Sequence, residues 1–227
     1  MYTQPTIEDG TGALILASAS PRRRALLAEA GISFTAVEPP LPEPHDGIAR
    51  LAPAQQAEAL AYYKARAVAG EDPPGRVLGA DTVVALGREV LHKPADATDA
   101  RRMLGALSNS RHAVITGVAL LGPGARRCIC SDWTWITMRP MSEAEIEAYI
   151  ASGEWAGKAG AYAIQETADR FVVAVDGSIT NVVGLPMELV GRLLGRAGAG
   201  AGNVESGSIT TTRLLGRAGA GEGGHHA

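Results

Sequence analysis

The amino-acid sequence predicts an α/β fold built on a mixed sheet, and three observations support that prediction. Short apolar runs alternate with helical segments in the N-terminal half, a pattern typical of parallel strands joined by helices. The middle of the chain contains long strand patterns joined by tight turns, which is typical of antiparallel hairpins. The 227 residues are 46% hydrophobic and 20% charged, which fits one sizeable globular domain, built as one body or as two lobes.

The elements of the N-terminal half follow from apolar runs and from helix start and stop signals. Residues 13–18 form a continuous apolar run that predicts a buried strand. Ser20 and Pro21 supply a hydroxyl N-cap and a proline at the first helical position, and Gly31 ends this first helix. The rest of this half is predicted to be a short strand over 33–37, a proline-rich loop over 38–53 and a long helix over 54–70.

The C-terminal half predicts a strand-rich region with helices between the strands. Residues 76–86 predict a strand, and 87–91 are its short hairpin partner. Thr98 is the predicted cap of the next helix, and Ser142 forms a capping box with Glu145 before another. The remaining predicted elements are two long strands over 112–122 and 126–140, strands over 161–165 and 170–177, and a last helix opened by Pro186.

Composition also suggests where the structured domain begins and ends. Residues 1–12 are predicted to be a disordered extension, 13–196 the structured domain and 197–227 a low-complexity tail. The stretch RLLGRAGAG begins at Arg192 and again at Arg213, so the tail contains a duplicated segment. Its Gly- and Ala-rich composition provides too little apolar surface to order itself.

Charge and cysteine usage exclude several classes of protein. The formal net charge is −3, and no extended basic stripe is present, which argues against a nucleic-acid partner. No apolar run reaches the ~18 residues needed to span a membrane, and the N-terminus lacks the basic start of a signal peptide. Cys128 and Cys130 alone cannot supply a disulfide framework, and we interpret them as buried free thiols. We therefore expect a cytoplasmic protein that binds a small molecule.

The stretch SASPRRR predicts a binding site for phosphate groups. A strand followed by a turn and a helix N-terminus directs free N–H groups and the positive end of the helix dipole outward. Ser18 and Ser20 add hydroxyl groups, and Arg22 and Arg23 add guanidinium groups that match phosphate oxygens. Arg24 is predicted to lie on another side of the helix, because neighbours point about 100° apart. A solvated basic helix face is the alternative interpretation.

A second group of charged residues points to phosphoryl chemistry. Asp81 and Thr82 lie within a predicted strand that is otherwise apolar, where a carboxylate is costly unless it is paired or binds a metal. Lys93 follows one hairpin later, in the same region. A carboxylate, a lysine and arginines together suit metal-assisted attack of water on a phosphate, although a structural salt bridge is the alternative.

Six motifs together carry a resemblance to a known family. SASPRR, GADTVV, HKP, HAVITGV, GKAGAYAIQ and NVVGLP occur in this order between residues 14 and 194. In this order they resemble the Maf family of nucleoside triphosphate pyrophosphatases. The resemblance implies a Maf-like fold akin to that of inosine triphosphate pyrophosphatase, with two lobes around a deep cleft and a homodimer. It implies hydrolysis of a nucleoside triphosphate to a monophosphate and pyrophosphate, with Mg²⁺ or Mn²⁺ as the cofactor.

The resemblance also assigns roles to individual residues. Ser18, Arg22 and Arg23 match the phosphate-binding signature, and Asp81 matches the catalytic acid, which acts as base, metal ligand or both. Glu43 matches one member of a paired acidic motif that binds the metal, although Pro42 replaces its partner. The remaining matches are Lys64 and Lys93, which line the cleft, and Thr82 and Gln165, which help to select the base.

The motif KAGAYAIQ is similar to that of the branch that acts on dTTP and UTP. An amide such as that of Gln165 can pair with part of the edge of uracil or thymine and would mismatch cytosine. Asn109 and Glu166 replace glycines of the family pattern and can alter loop geometry. Modified pyrimidine nucleotides, another base, or nucleotide binding without catalysis in the control of cell division are the alternatives.

Several other residues are interpreted as structural. His112 precedes a strand within a family motif, and Trp133 and Trp135 share one face of a strand, in the core or at a dimer interface. Lys158 and Tyr162 are equally compatible with packing and with contact to the ligand.

Overall fold

A computed structural model describes residues 13–40, 47–71, 73–164 and 167–195, together with the backbone of 209–210. The strands are β1 (Leu14–Ala17), β2 (Phe34–Val37), β3 (Val77–Leu86), β4 (Glu89–Leu91), β5 (Arg111–Gly122), β6 (Arg126–Met138), β7 (Val172–Asp176) and β8 (Ile209–Thr210). The helices are α1 (Pro21–Glu29), α2 (Pro53–Ala69), α3 (Ala97–Leu107), α4 (Glu143–Ser152), α5 (Ile179–Val183) and α6 (Met187–Leu193). Two 3₁₀ segments span Ala159–Ala161 and Thr167–Phe171. No helix among the described residues has the length and apolar composition that crossing a bilayer requires.

The strands form one mixed sheet, as the sequence predicts. Its order is β2-β1-β3-β5-β6-β7-β8, and β4 pairs with β3. β1 is parallel to both β2 and β3, whereas the other pairs are antiparallel. The parallel pairs involve the strands of the N-terminal half, where the sequence alternates strands with helices, and the long hairpin of β5 and β6 follows its predicted turn.

One edge of β3 contains a gap between two partner strands. β5 pairs along the other edge from Val77 to Ala85, so β1 and β4 share the remaining edge. β1 reaches only as far as Gly79, and β4 begins to pair at Val84. The stretch from Ala80 to Val83 therefore has no strand partner on this edge among the described residues. Asp81 and Thr82 lie in this stretch, so the gap is next to the predicted catalytic residue.

The helix α2 covers one face of the sheet at unusually close range. A Cβ at Gly79 would lie 2.3 Å from the carbonyl oxygen of Ala61, and one at Gly117 would lie 2.3 Å from that of Ala57. These two glycines, one on β3 and one on β5, thus allow the small side chains of the helix to pack on the sheet. The close approach determines where Lys64, on the same helix, meets β3.

The opposite face of the sheet carries the larger part of the core. One apolar cluster joins α1 and α6 to one end of this face through Leu27, Leu78 and Leu189. A second cluster joins α3 and α4 to the other end through Leu104 and Tyr149. α5 contacts β5 and β6. The candidate site therefore has helices and loops of this face among its walls.

Some local predictions are wrong, and each has a physical reason. Residues 161–165 are not a strand where they are described, because Ala159–Ala161 forms a 3₁₀ turn instead. Asp96, not Thr98, is the N-cap of α3, and its carboxylate accepts from the backbone N–H of Asp99. Ser20 occupies the N-cap position of α1, but its side chain makes no capping hydrogen bond. The capping box of α4 is confirmed.

The two tryptophans of β6 are not part of the core. Trp133 and Trp135 are 43% and 38% exposed, although they share one face of the strand. Their placement at a dimer interface stays a prediction. Cys128 is buried and Cys130 half-buried, and neither forms a disulfide. The predictions for residues 1–12 and for nearly all of 197–227 lie outside the described residues.

Candidate active site

A pocket of about 750 Å³ lies at the carboxyl end of β1, beside the gap in the edge of β3. This volume lies in the range of about 300–1,000 Å³ that is typical of small-molecule sites. Its walls come from the turn into α1, from α2, β3 and β5, from residues 156–164 and from the end of α5. Segments that are far apart in the sequence therefore meet around one cavity.

One end of the pocket is strongly cationic. Among the described lining residues, the only acidic side chain is Glu38, and the basic ones are Arg22, Arg23, Lys64, Lys93 and Lys158. Ser18 and Ser20 line the same end, at the N-terminus of α1. The pocket is thus a concentration of positive charge in a chain whose net charge is −3. Such an arrangement attracts a small polyanion.

Arg23 is almost buried and is held in place by three neutral oxygens. Its Nε donates to the carbonyl oxygen of Gly184 at 2.7 Å, Nη1 donates to Oγ of Ser18 at 3.3 Å, and Nη2 donates to Oγ1 of Thr82 at 3.2 Å. Only 9% of the residue is exposed. These contacts join α1, β1, β3 and the end of α5. Arg23 therefore has a structural role in addition to its predicted contact with phosphate.

A buried polar network supports the same corner of the pocket. Thr82 and Thr116 share a hydrogen bond of 2.9 Å between their hydroxyl groups, and Thr116 donates to the backbone carbonyl of Asn181. Nδ2 of Asn181 donates to the carbonyl of Val114 and to Oγ1 of Thr134, both at 3.0 Å. Because Asn181 is fully buried, this network fastens α5 to the sheet. Gly184 is the C-cap of α5, and its carbonyl accepts a hydrogen bond from Arg23.

Asp81 faces the other side of β3, toward α2. Its Oδ1 accepts a hydrogen bond from Nζ of Lys64 at 2.5 Å, and both side chains are only slightly exposed. The ion pair offsets the cost of placing a carboxylate in an apolar strand. Since Lys64 also lines the pocket, it links the carboxylate to the cavity.

The other end of the pocket is apolar. Val84, Val114, Ile164 and Val182 line it together with Tyr162. The side chain of Tyr162 is 6% exposed, and its hydroxyl lies 2.7 Å from Nε2 of His112. A cavity that is cationic at one end and apolar at the other suits a ligand with both a polyphosphate and a flat, weakly polar group.

The structure brings most of the predicted site residues together. Ser18, Arg22, Arg23, Lys64, Thr82 and Lys93 all line the pocket, and Asp81 is next to it through Lys64. Glu43 and Gln165 lie outside the described residues. Sequence reasoning missed the contributions of Thr116, Asn181 and the carbonyl of Gly184. The motif NVVGLP contains two of these three, but their contacts depend on how distant segments meet in the fold.

Whether the site suits a divalent cation depends on the oxygen atoms that could bind it. No group of three or more His, Cys, Asp or Glu side chains in the described part of the chain is placed to hold a metal ion. Asp81 is nevertheless suited to Mg²⁺, which is usually bound by one or two carboxylates together with substrate phosphates. A dedicated cage of protein ligands is not required for that mode of binding.

The fold and the pocket together define the class: an α/β protein with a site for a small molecule that has an anionic and an apolar part. Comparison with known proteins identifies the family, because the Maf family (Maf-like protein) matches residues 13–197. The chain therefore belongs to the Maf family, and the predicted Maf-like fold is confirmed.

Individual relatives match over most of their own length. A dTTP/UTP pyrophosphatase of Koribacter versatilis is 46% identical over 185 residues, which are 82% of this chain and 94% of that protein. A dTTP/UTP pyrophosphatase of Cereibacter sphaeroides is 48% identical over 185 residues, 82% of this chain and 95% of that protein. Among solved structures, a nucleoside-triphosphatase / dITP/XTP pyrophosphatase from Mycobacterium abscessus is similar with a TM-score of 0.40 and 18% identity, over 56% of this chain and 74% of that one.

Proposed function

We propose that this protein is a nucleoside triphosphate pyrophosphatase that hydrolyses dTTP and UTP to the monophosphate and pyrophosphate. The observation that carries the proposal is the pocket with a cationic end, an apolar end and the Asp81–Lys64 pair beside it. The relatives named dTTP/UTP pyrophosphatase support the choice of substrate. In this assignment, the triphosphate occupies the cationic end and the base occupies the apolar end.

Binding of the triphosphate is assigned to the N-terminus of α1 and the cations around it. Arg22, Lys93 and the accessible part of Arg23 neutralise the phosphate oxygens, and Ser18 and Ser20 contribute polar groups at the helix N-terminus. A nucleoside triphosphate has about four negative charges, which repel an approaching nucleophile. Neutralising these charges in a partly enclosed site lowers the barrier to attack by water.

Hydrolysis of the bond between the α- and β-phosphates is assigned to Asp81. Water supplies the oxygen that replaces the bridging oxygen, pyrophosphate leaves, and the Asp81 carboxylate accepts the proton that water loses. A bound Mg²⁺ or Mn²⁺ would neutralise charge on the phosphates and lower the pKa of water. Asp81 is the residue proposed to hold it, with Glu43 as the predicted second ligand. The hydrogen bond from Nζ of Lys64 keeps the carboxylate oriented in the free protein.

Selection of the base is assigned to Gln165 and Thr82. Gln165 follows Ile164, which lines the apolar end of the pocket, so the amide is proposed to pair with the edge of uracil or thymine. The hydroxyl of Thr82 bonds to Arg23 and Thr116, so its influence on the base is proposed to act through the position of these partners. A homodimer, a location in the cytoplasm and the lack of a nucleic-acid partner stay predictions.

A panel of nucleoside triphosphates tests the proposal directly. The purified protein should release pyrophosphate from dTTP and UTP in preference to dCTP, dATP and GTP, and EDTA should abolish the activity until Mg²⁺ or Mn²⁺ is restored. A preference for purine nucleotides, or release of orthophosphate instead of pyrophosphate, would contradict it. Binding without hydrolysis would favour the non-catalytic alternative.

The variant Asp81→Asn examines the assigned base and metal ligand. Because the amide cannot accept the proton of water, turnover should fall by at least about 100-fold, while the fold persists. Circular dichroism checks the fold, and pyrophosphate release checks turnover. Turnover close to that of the wild type would remove Asp81 from the mechanism.

A further inference from the structure

We infer that Tyr162 and His112 form a positioning pair that holds the wall of the pocket against which the nucleoside packs. Tyr162 is the residue that contacts the ligand, and the buried His112 holds Tyr162 in position through a hydrogen bond. The inference rests on the proposed function, in that it places the nucleoside at the apolar end. It replaces the purely structural role that the sequence predicts for His112.

The turn that carries Tyr162 has a backbone that the surroundings must hold in place. Gly160 and Ala161 both have left-handed conformations, with φ of 67° and 64°. This conformation is unfavourable for alanine and persists where neighbouring contacts enforce it. Gly160 lies so close to Val84 that a Cβ there would be 3.0 Å from both methyl groups, so the turn leaves no room for a side chain at this position.

The same turn is tied to the loop that carries a phosphate-binding lysine. The N–H of Gly160 donates to the carbonyl of His92 at 3.2 Å, and Lys93 is the next residue. The turn therefore lies beside both Lys93 and Val84, which line the pocket. A displacement of Tyr162 would change the shape of the pocket where its two ends meet.

His112 is an unusual residue to find at the base of this wall. It is fully buried, and its Nε2 lies 2.7 Å from the hydroxyl of Tyr162, with the two rings at 88° to each other. Its Nδ1 is buried without a hydrogen-bond partner among the described residues. Burial lowers the pKa of His112 to about 4, so the imidazole is neutral at physiological pH. Burial also raises the pKa of Tyr162, so its hydroxyl keeps its proton.

The hydrogen bond with His112 keeps the hydroxyl of Tyr162 in the protein interior. Since that hydroxyl bonds to a fully buried group, the pocket meets the aromatic ring rather than the polar tip. An aromatic ring in a pocket that Val114 and Val182 also line is a surface on which a flat base can pack. A polyphosphate has no flat apolar group that could pack on such a surface. The pair should therefore affect the binding of a nucleotide and leave the binding of a phosphate chain unchanged.

The test compares two ligands that share the phosphate chain and differ in the nucleoside. Calorimetric titration measures Kd for a non-hydrolysable α,β-imido analogue of dTTP and for inorganic tripolyphosphate. In the wild type, the analogue should bind at least 10-fold more tightly than tripolyphosphate. Tyr162→Leu removes the ring. Its affinity should fall by about 10-fold for the analogue and by less than two-fold for tripolyphosphate.

The hydrogen bond is tested by a double-mutant cycle with a conservative rescue. Tyr162→Phe and His112→Leu should each raise the Kd of the analogue by about three-fold. The double variant should show little further increase, because both changes break the same contact. His112→Gln, which keeps a polar group near the hydroxyl, should bind the analogue almost as tightly as the wild type. Additive losses, or failure of the glutamine variant to rescue, would contradict the pairing.

A matched control separates positioning from stability. Tyr149 is buried in the same apolar cluster but is not a lining residue of the pocket. Tyr149→Phe should shift the melting temperature and leave both affinities unchanged. Parallel losses for both ligands in the Tyr162 and His112 variants would overturn the inference, and so would a wild type that binds the two ligands equally. Tight, Tyr162-dependent binding without pyrophosphate release would support the pair and reject the proposed reaction.

Discussion

At the scale of single residues, the three adjacent arginines occupy three different environments. Arg22 is exposed at the pocket, Arg23 is nearly buried among Gly184, Ser18 and Thr82, and Arg24 is exposed and is not among the lining residues. The helical rotation of about 100° per residue produces this separation, as the sequence predicts. The burial of Arg23 could not be read from the sequence, because it depends on Gly184, 161 residues away.

This difference changes the expected effects of removing each arginine. Arg22→Ala should lower kcat/KM by roughly 10- to 100-fold at unchanged stability, because a charge-assisted hydrogen bond contributes about 1.5–3 kcal/mol. Arg23→Ala should lower kcat/KM and also destabilise the fold by about 2 kcal/mol, because Gly184, Ser18 and Thr82 lose the hydrogen bonds of a nearly buried side chain. Arg24→Ala is the matched control.

Kinetics and melting curves with and without a non-hydrolysable dTTP analogue check these expectations. The analogue should raise the melting temperature of the wild type and of Arg24→Ala, and much less that of Arg22→Ala. If Arg24→Ala lost this gain while Arg22→Ala kept it, the placement of α1 on the phosphates would be wrong.

His112 gives the protein a specific dependence on pH. Burial holds its pKa at about 4, whereas an unfolded histidine has a pKa near 6.5, so unfolding takes up a proton between these values. The stability that this shift contributes is complete above about pH 6.5 and is lost as the pH falls toward 4, by up to about 3 kcal/mol. Urea unfolding from pH 7 to pH 4 measures the loss.

The variant His112→Gln is the comparison for this measurement, because glutamine does not titrate. Its free energy of unfolding should fall less steeply than that of the wild type over the same range. Equal slopes for the two proteins would show that other groups cause the acid sensitivity.

At the scale of elements, the close packing of α2 on the sheet depends on Gly79 and Gly117. A Cβ at Gly117 would lie 2.3 Å from the backbone of Ala57, so Gly117→Ala must push the helix away. The free energy of unfolding should drop by about 3 kcal/mol, at the upper end for overpacked sites, and Lys64 should lose its contact with Asp81. Turnover should therefore fall as well.

Gly105→Ala is the matched control for that change. Gly105 lies in α3, where a Cβ would meet nothing within 4 Å. This variant should stabilise the protein by about 0.5–1 kcal/mol, because alanine favours the helix. Thermal melting measures both variants. A Gly117→Ala protein as stable as the wild type would show that α2 can shift without cost.

The elements also show which features a single sequence can predict. Apolar runs, Pro21 and the capping box at Ser142 predicted strands and helices well, because these signals act over a few residues. The strand predicted at 161–165 failed because Gly160 packs against Val84 and the turn bonds to His92, which are contacts across the fold. The choice between core and interface for the β6 tryptophans could not be made from the strand alone, because their exposure depends on which elements cover that face of the sheet.

At the scale of the whole molecule, the site is assembled from segments that the sequence separates widely. Motifs predicted which residues gather at the pocket, since Arg22, Lys64 and Lys93 carry recognisable chemistry. They did not predict the supports, such as the bond from Thr116 to Asn181, because a buried threonine or asparagine has no local signature. Net charge was equally uninformative about the pocket, because a chain of net charge −3 still gathers five cations there.

The C-terminal tail should contribute little to this assembly. Truncation after Gly200 should leave the melting temperature and the turnover nearly unchanged, because the removed sequence is rich in Gly and Ala. Among the described residues, it removes only the two-residue strand β8, which pairs with Ala174 and Val175 at the edge of β7. Such a short strand adds few contacts.

Scanning calorimetry and pyrophosphate release on the full chain and the truncated chain measure this expectation. Truncation after Gly221, which keeps β8 and removes only the last residues, is the control. A fall of several degrees in the shorter chain alone would show that pairing with β7 stabilises the domain. In that case, the tail would be part of the fold, because the edge of β7 would need β8 to cover it.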